Sequence, residues 1–120
     1  MPFNIVFERL PQYVRYQASG PASLPNYADL IDRAARETLA ARDRLAMVDL
    51  RGVVGRLAFS DQFFIGELVV RQLQHVKRLA TVVPDEPDSY NSQKVANRHE
   101  FSLRGFRSED EARTWLLDGR

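Results

Sequence analysis

The sequence contains no cysteine, a single tryptophan and no long apolar run. Without cysteine the chain has no disulfide framework, no thiolate metal site and no cysteine nucleophile, and it fits a reducing compartment. The N-terminal residues lack the basic start and apolar stretch of a signal peptide, and no window approaches the roughly 18 apolar residues of a membrane-spanning helix. We therefore expect a cytoplasmic protein without a membrane span.

The sequence also lacks a large excess of positive or negative charge. Lys and Arg total 17 against 16 for Asp and Glu, which leaves a formal net charge of +1. A chain with nearly balanced charges produces no strong electrostatic field that would attract nucleic acid or a membrane surface. Basic and aromatic residues do alternate near the C-terminus, from Arg98 to Arg107, but the packing of a strand explains that pattern. We expect no nucleic-acid partner.

What is present is the composition of an ordinary folded domain. The chain has 120 residues, of which 44% are hydrophobic and 28% are charged. This length accommodates one hydrophobic core rather than two. No internal repeat, low-complexity stretch or linker divides the chain, so the sequence predicts a single domain over residues 1–120.

Two short runs near the N-terminus alternate apolar and polar residues. Residues 3–8 and 12–18 each follow the period of two that is typical of a strand with one buried face. Leu10 and Pro11 interrupt the pattern and predict a short turn. The two runs therefore predict an antiparallel hairpin.

Two later runs are continuously apolar instead. Residues 45–50 and 78–83 favour strands that are buried on both faces of a parallel sheet. Helical periodicity covers the stretches before, between and after these strands. A capping box that starts at Ser108 begins a last helix, which we expect to bury Trp115.

The order of these elements predicts the fold class. An acidic loop at 84–88, a short helix at 90–97 and a strand at 101–106 complete the series. Strands and helices that alternate after an opening hairpin indicate parallel strands joined by right-handed crossovers. We predict an α/β fold, a small open mixed sheet with an N-terminal antiparallel hairpin followed by parallel strands with crossover helices.

The helix that begins near Ser60 has apolar residues on two sides. Ser60 suits its N-cap position. Its main apolar stripe is enough to dock it on the sheet, yet Phe63 and Val70 lie on nearly the opposite side, and Phe59 adjoins them. Such surplus apolar surface indicates packing within the fold, contact with a second copy of the chain, or an apolar ligand.

Several motifs, in their order and spacing, resemble the STAS-like family of bacterial anti-anti-sigma-factor-like proteins. A strand that ends at Gly20 before a helix resembles the family's opening. Residues 48–53 resemble its central strand end, and residues 78–83 resemble its next core strand. Phe106 followed by the pattern at 112–116 resembles its C-terminal ending. The resemblance covers nearly the whole chain.

The resemblance implies a STAS-like fold and a regulatory module that binds protein partners. In some members the signal is phosphorylation of a serine at the start of the helix after the Asp-Leu strand. Ser60 is the nearest match, and is thus a candidate phosphoacceptor, although a longer segment replaces the family's Asp-Ser-Ser-Gly-like turn. The same general shape recurs in CRAL-TRIO lipid-binding domains, where a helix gates an apolar cavity.

Few polar residues have the spacing that is typical of a catalytic or metal-binding site. Asp49 and Asp61 lie near one predicted strand end, where ligands of open α/β sheets gather, and form a candidate strand-end polar site. No third ligand is spaced with them, and His75 and His99 have no His or Cys partner nearby in sequence. The loop at 52–55 fits no phosphate-binding fingerprint. We expect no catalytic residue, no metal and no cofactor.

These observations predict a non-enzymatic STAS-like module of a bacterial cytoplasm that binds a protein partner or a second copy of itself. The alternative is a carrier or sensor that binds a small apolar ligand or lipid in a pocket beside the helix after Ser60. Phe59, Phe63 and Val70 are the candidate residues for the interface or for the ligand-binding face.

Overall fold

A computed structural model describes residues 1–84 and 91–119. Most of the predicted loop at 84–88, and the first residue of the helix predicted at 90–97, lie outside the described residues. Along the described chain the elements are, in order, β1 (Asn4–Arg9), β2 (Val14–Pro21), α1 (Leu24–Ala41), β3 (Leu45–Val54), α2 (Phe59–Gln72), β4 (Arg78–Val82), α3 (Asn91–Arg98), β5 (Leu103–Phe106) and α4 (Glu109–Asp118).

The described strands form one five-stranded sheet in the order β1-β2-β3-β4-β5. β1 pairs with β2 in the antiparallel sense, and the other neighbouring strands pair in parallel. The predicted mixed sheet with an antiparallel hairpin at its edge is confirmed. The parallel pairs arise because a helix lies in each crossover and returns the chain to the same end of the sheet.

Helices cover both faces of this sheet. On one face α1, α2 and α3 belong to a cluster that buries Ala46 and Val48 of β3. On the other face α4 packs over Met47. Alternate side chains of β3 therefore enter two separate hydrophobic clusters, which explains why this strand is continuously apolar in sequence. None of the helices in the described ranges is long and apolar enough to cross a membrane.

β3 contains one extra residue near its carboxyl end. From Asp49 to Gly52, β3 advances by three residues, whereas the β2 residues that pair with them are only two positions apart. One additional residue on one strand of a pair defines a β-bulge. The bulge allows both Leu50 and Val53 to pack against the same cluster, although residues three apart in a regular strand face opposite sides. Gly52 suits the close approach of β2, since an added Cβ would lie 2.9 Å from the Cβ of Ser19.

The start of α4 agrees with the sequence prediction, and the start of α2 does not. The Ser108 hydroxyl accepts a hydrogen bond from the backbone N–H of Glu111 at 3.4 Å, as the capping box predicts. The N-cap of α2 is Ala58, which makes no side-chain hydrogen bond. The N-cap assignment of Ser60 is therefore wrong. A cap is worth only about 1 kcal/mol, so the packing of α2 decides where that helix begins.

Trp115 fixes α4 to the sheet, and its predicted burial is confirmed. It is 8% exposed, and its ring centroid lies 5.7 Å from that of Phe106. We predict that Trp115→Ala lowers the free energy of unfolding by about 3–5 kcal/mol, because it leaves a large cavity. Urea unfolding followed by circular dichroism measures the loss. The control Leu117→Ala, on the exposed side of the same helix, should cost less than about 1 kcal/mol; equal losses would contradict the prediction.

Candidate functional site

The turn from β3 into α2 exposes apolar side chains, and we call residues 54–64 the β3–α2 corner. Val54 ends β3 and is 72% exposed, while Phe59 begins α2 and is 65% exposed. Phe64 is 51% exposed. Gly55 permits the turn, because its φ of +88° is one that residues with a side chain rarely adopt. The corner therefore presents two aromatic rings to solvent, of which the sequence analysis singled out Phe59 and missed Phe64.

Ser60 lies in the first turn of α2, where its side chain is exposed. Because Ala58 supplies no side-chain acceptor at the N-cap, the positive end of the helix dipole is not neutralised by a capping side chain. Asp61, next in the chain, is the acidic residue of this turn. A phosphate on Ser60 would interact favourably with the helix dipole and unfavourably with Asp61. The role of Ser60 as a phosphoacceptor stays a prediction.

The structure places α3 beside α2, close to the surplus apolar residues. Phe63 is half-buried, and the guanidinium carbon of Arg98 lies 5.9 Å from the centre of its ring. The ring of Phe63 also contacts that of Phe59, with centroids 4.7 Å apart. Val70 packs against the core cluster. Packing within the chain thus accounts for part of this surface, and its role as an interface or ligand-binding face stays a prediction.

The two candidate carboxylates belong to opposite sides of the sheet. Asp49 follows Met47 on the face covered by α4 and is 2% exposed. Asp61 belongs to α2, which packs on the other face. Among the described residues no group of three or more His, Cys, Asp or Glu side chains is placed to hold a metal ion.

Asp49 is instead the centre of an ion-pair network. Its Oδ2 accepts hydrogen bonds from Arg15 Nη2 at 3.0 Å and from Arg51 Nη2 at 2.8 Å. Its Oδ1 accepts from the backbone N–H of Arg51 at 3.0 Å. Glu109, the first residue of α4, accepts from the same Nη2 of Arg15 at 3.0 Å. The network therefore joins β2, β3 and the start of α4 through charge-assisted hydrogen bonds.

These contacts determine the charge state of Asp49. Burial by itself would raise the pKa of this carboxyl, but the hydrogen bonds from Arg51 and the positive charges of Arg51 and Arg15 outweigh burial and lower the pKa below its ordinary value. Asp49 is therefore ionised at neutral pH and has both oxygens occupied. This arrangement stabilises the fold and leaves Asp49 poorly suited to general acid–base catalysis.

Both histidines make contacts between elements. His75 Nε2 lies 2.7 Å from the hydroxyl oxygen of Thr38, a buried residue of α1. His99 Nε2 lies 2.9 Å from a carboxylate oxygen of Glu67, which connects the end of α3 to α2. These contacts give both side chains a structural role.

An apolar cavity of about 160 Å³ lies between the sheet and the helices α1 and α2. Its inner wall consists of buried aliphatic side chains from four elements, namely Leu30, Ile31, Val48, Ile65, Val69 and Leu79. Leu50 and Val53, the two residues that the β-bulge places on this side, also line it. Its exposed lining residues are Gly55 and Arg56, so the cavity reaches solvent at the β3–α2 corner.

The sequence predicted a pocket beside the helix after Ser60 but assigned it to Phe59, Phe63 and Val70, whereas the cavity is lined by Ile65 and Val69 of that helix. The ion-pair network was not predicted. The residues that line the cavity follow ordinary core periodicity, and spacing does not reveal a gap between helices and sheet. The network joins residues 34 and 94 positions apart, for which a single sequence gives no signal. The one available sign was Asp49 itself, a charged residue that interrupts an otherwise apolar strand.

The comparison with solved structures shows which fold this is. An uncharacterized protein of the DUF3478 family with a SpoIIAA-like fold, from Shewanella loihica PV-4, aligns with a TM-score of 0.64 and 19% identity over 96% of this chain and 93% of that chain. An anti-sigma factor antagonist from Mycobacterium paratuberculosis aligns with a TM-score of 0.67 and 14% identity over 97% and 95%. The chain has the STAS-like fold. No family model matches the sequence, and no curated protein matches it.

We predict that Asp49→Asn lowers the free energy of unfolding at neutral pH by about 2–3 kcal/mol, because the variant removes a charged acceptor from Arg15 and Arg51. The folded-state pKa of Asp49 is lowered, so its stabilisation is fully present above the ordinary pKa of 3.8 and is lost as the pH falls through the lower folded-state value. Urea unfolding of both proteins over a pH series measures the difference, which should shrink below about pH 4.

Glu109→Gln is the control for this prediction. Glu109 contacts the same two arginines, but its side chain is 26% exposed, so its loss should cost less than about 1 kcal/mol. A deficit of Asp49→Asn that stays constant down to the lowest pH would show that the ionised carboxylate is not what stabilises the fold.

Proposed function

We propose that this protein is a non-enzymatic regulatory module of a bacterial cytoplasm that binds a protein partner through the β3–α2 corner. The fold supports the class of function, since one solved structure with this fold is described as an anti-sigma factor antagonist. We place the interface at this corner because the side chains of Phe59 and Phe64 are exposed there. Aromatic side chains are enriched at the centres of protein interfaces, where they contribute much of the binding energy.

The strand-end charges favour binding over catalysis. Asp49 and Glu109 accept hydrogen bonds from Arg15 and Arg51. Groups that neutralise one another hold α4 against the sheet, whereas a catalytic acid or base must reach a substrate atom. The β3–α2 corner exposes Val54, Phe59 and Phe64 beside the polar residues Arg56 and Ser60. This mixture suits a protein-binding surface better than a catalytic site.

Phosphorylation of Ser60 would control this surface. Ser60 adjoins Phe59 in the first turn of α2. A phosphate group there adds about −1.5 to −2 charges. A strongly hydrated group beside an aromatic contact opposes the desolvation on which an apolar interface depends. We therefore expect phosphorylation to weaken partner binding while leaving the fold intact.

Photo-crosslinking in cells tests the location of the interface. A photoreactive phenylalanine derivative replaces Phe59 or Phe64, and the products are analysed by mass spectrometry. We expect a discrete adduct with one partner protein at both positions. An adduct of twice the chain's mass would identify a second copy of the protein as that partner.

Val6 is the matched control position for the crosslinking. It is 51% exposed, as Phe64 is, and lies on the edge strand β1. The same derivative at Val6 should give no discrete adduct. Failure to obtain adducts at Phe59 and Phe64, or the same adducts at Val6, would show that the β3–α2 corner is not the interface.

The cavity supports a second function, the binding of a small apolar ligand. Apolar pockets with a few polar groups at the mouth are the usual form of small-molecule sites. The cavity lies on the sheet side of α2, lined by Ile65 and Val69, and Phe63 and Val70 are absent from its lining. Under this function the protein is a carrier or sensor.

A further inference from the structure

We infer that the cavity binds a small uncharged molecule with an apolar body and one hydroxyl or carbonyl oxygen, which forms a hydrogen bond with Thr81. This inference rests on the second proposed function and specifies the class of ligand. It follows from the volume of the cavity, from the apolar side chains around it, and from two neutral polar groups on one of its walls.

The volume limits the size of the ligand. At about 160 Å³, the cavity is close to an engineered apolar cavity of about 150 Å³ that stays dry and binds benzene. A body of about six to eight carbon atoms fits this space. Leu30, Val69 and Leu79 line it from α1, α2 and β4 and are buried. Such a body would therefore gain the free energy of leaving water.

Thr81 places a hydroxyl group on this apolar wall. It lies in β4 between Ala80 and Val82, which are both fully buried and belong to the cluster under α4. Since side chains alternate along a strand, Thr81 faces the opposite side of the sheet, where it lines the cavity. β4 has a strand on each edge, yet Thr81 is only partly buried. The accessible part of its side chain therefore opens into the cavity.

The Thr81 hydroxyl has an unused capacity for hydrogen bonding. Within residues 1–84 and 91–119 this hydroxyl has no hydrogen-bond partner. The hydroxyl of Thr38, a buried residue of α1, donates by contrast to the carbonyl oxygen of Ala34. A polar group among apolar side chains costs free energy unless it is paired. The Thr81 hydroxyl therefore favours a ligand that supplies the missing partner.

Gln93 of α3 brings a second neutral group to the same wall of the cavity. Thr81 pairs with Gly105 of β5 in the sheet. The Oε1 of Gln93 accepts a hydrogen bond from the backbone N–H of the same Gly105 at 2.7 Å. Because β5 is an edge strand, a backbone N–H on its outer side has no strand to pair with. This hydrogen bond holds the Gln93 carboxamide near Thr81 and leaves its side-chain N–H groups as donors.

A hydroxyl and a carboxamide together favour an uncharged oxygen group on the ligand. A carbonyl or hydroxyl oxygen can accept from the Thr81 hydroxyl and from the Gln93 N–H, and a ligand hydroxyl can also donate to Thr81. An ionised head would lose much of its hydration beside these groups, and neither group supplies an opposite charge. A purely apolar ligand would leave both groups unpaired.

Three probes of similar size test the inference, namely phenol, toluene and benzoate. Phenol and toluene differ by a hydroxyl in place of a methyl group, and phenol is uncharged at neutral pH. Isothermal titration gives the Kd of each probe with the purified protein, and methyl NMR shifts of the leucine, isoleucine and valine residues locate the binding. We expect phenol and toluene to bind in the cavity. Benzoate should bind most weakly, because its carboxylate loses hydration there.

Thr81→Val tests the hydrogen bond, because valine keeps the shape of threonine and lacks its hydroxyl. The variant should weaken phenol about fivefold relative to toluene, as expected for the loss of one neutral hydrogen bond. Thr81→Ser keeps the hydroxyl and should retain the wild-type ratio of the two Kd values. The control Thr114→Val, at an exposed position of α4 outside the cavity, should also retain it. Continued binding of toluene shows that the cavity of each variant is intact.

The outcomes separate the inference from the function beneath it. The same phenol-to-toluene ratio in the wild type and in Thr81→Val, or tighter binding of benzoate than of phenol, would overturn the uncharged oxygen group while leaving a ligand site. If none of the three probes binds, the ligand function is wrong together with the inference. Crosslinking at the β3–α2 corner tests the partner function separately.

Discussion

The central position of β3 is the constraint on which the rest of the structure depends. It has a parallel neighbour on each edge and helices over both faces. Its side chains must therefore suit two cores at once, Ala46 and Val48 on one side and Met47 on the other. The buried Asp49 is tolerated on the α4 side because two arginines satisfy it. The same carboxylate connects the middle of the sheet to the start of α4 through Arg15 and Glu109.

The fold could be predicted largely because the two kinds of strand differ in sequence. Alternating residues at 3–8 and 12–18 predicted the hairpin, and continuous apolar runs at 45–50 and 78–83 predicted the parallel strands. The capping box at Ser108 located the last helix for a local reason, since its hydrogen bond joins residues three apart. Local chemistry of this kind is visible in one sequence.

The candidate site was predictable only in part, because it depends on packing between distant elements. A hydroxyl at Ser60 suggested a cap, but the placement of α2 on the sheet made Ala58 the N-cap. Phe63 was expected to need a binding partner, and α3 supplies part of its environment through Arg98. The cavity is the space that remains after many side chains from several elements have packed together. No single spacing of residues in the sequence therefore reveals it.

The helix α2 thus presents three different environments along one short element. Ile65 and Val69 border the cavity, Phe63 contacts α3 through Arg98, and Phe59 and Phe64 face solvent. A helix with apolar residues on two sides need not signal two interfaces, because a small neighbouring helix can cover a narrow strip. The large apolar residues of α2 that remain exposed, Phe59 and Phe64, lie in its N-terminal half, next to the mouth of the cavity.

The β-bulge of β3 has a consequence for how this chain can change in length. Surface turns ordinarily accept insertions and deletions, and the end of β3 lies at such a surface. Here one extra residue determines which side of the sheet Val53 faces, since Leu50 and Val53 line the cavity together. Losing that residue would turn Val53 away from the cavity and bring a different side chain toward it. The segment should therefore tolerate changes of residue type more readily than changes of residue number.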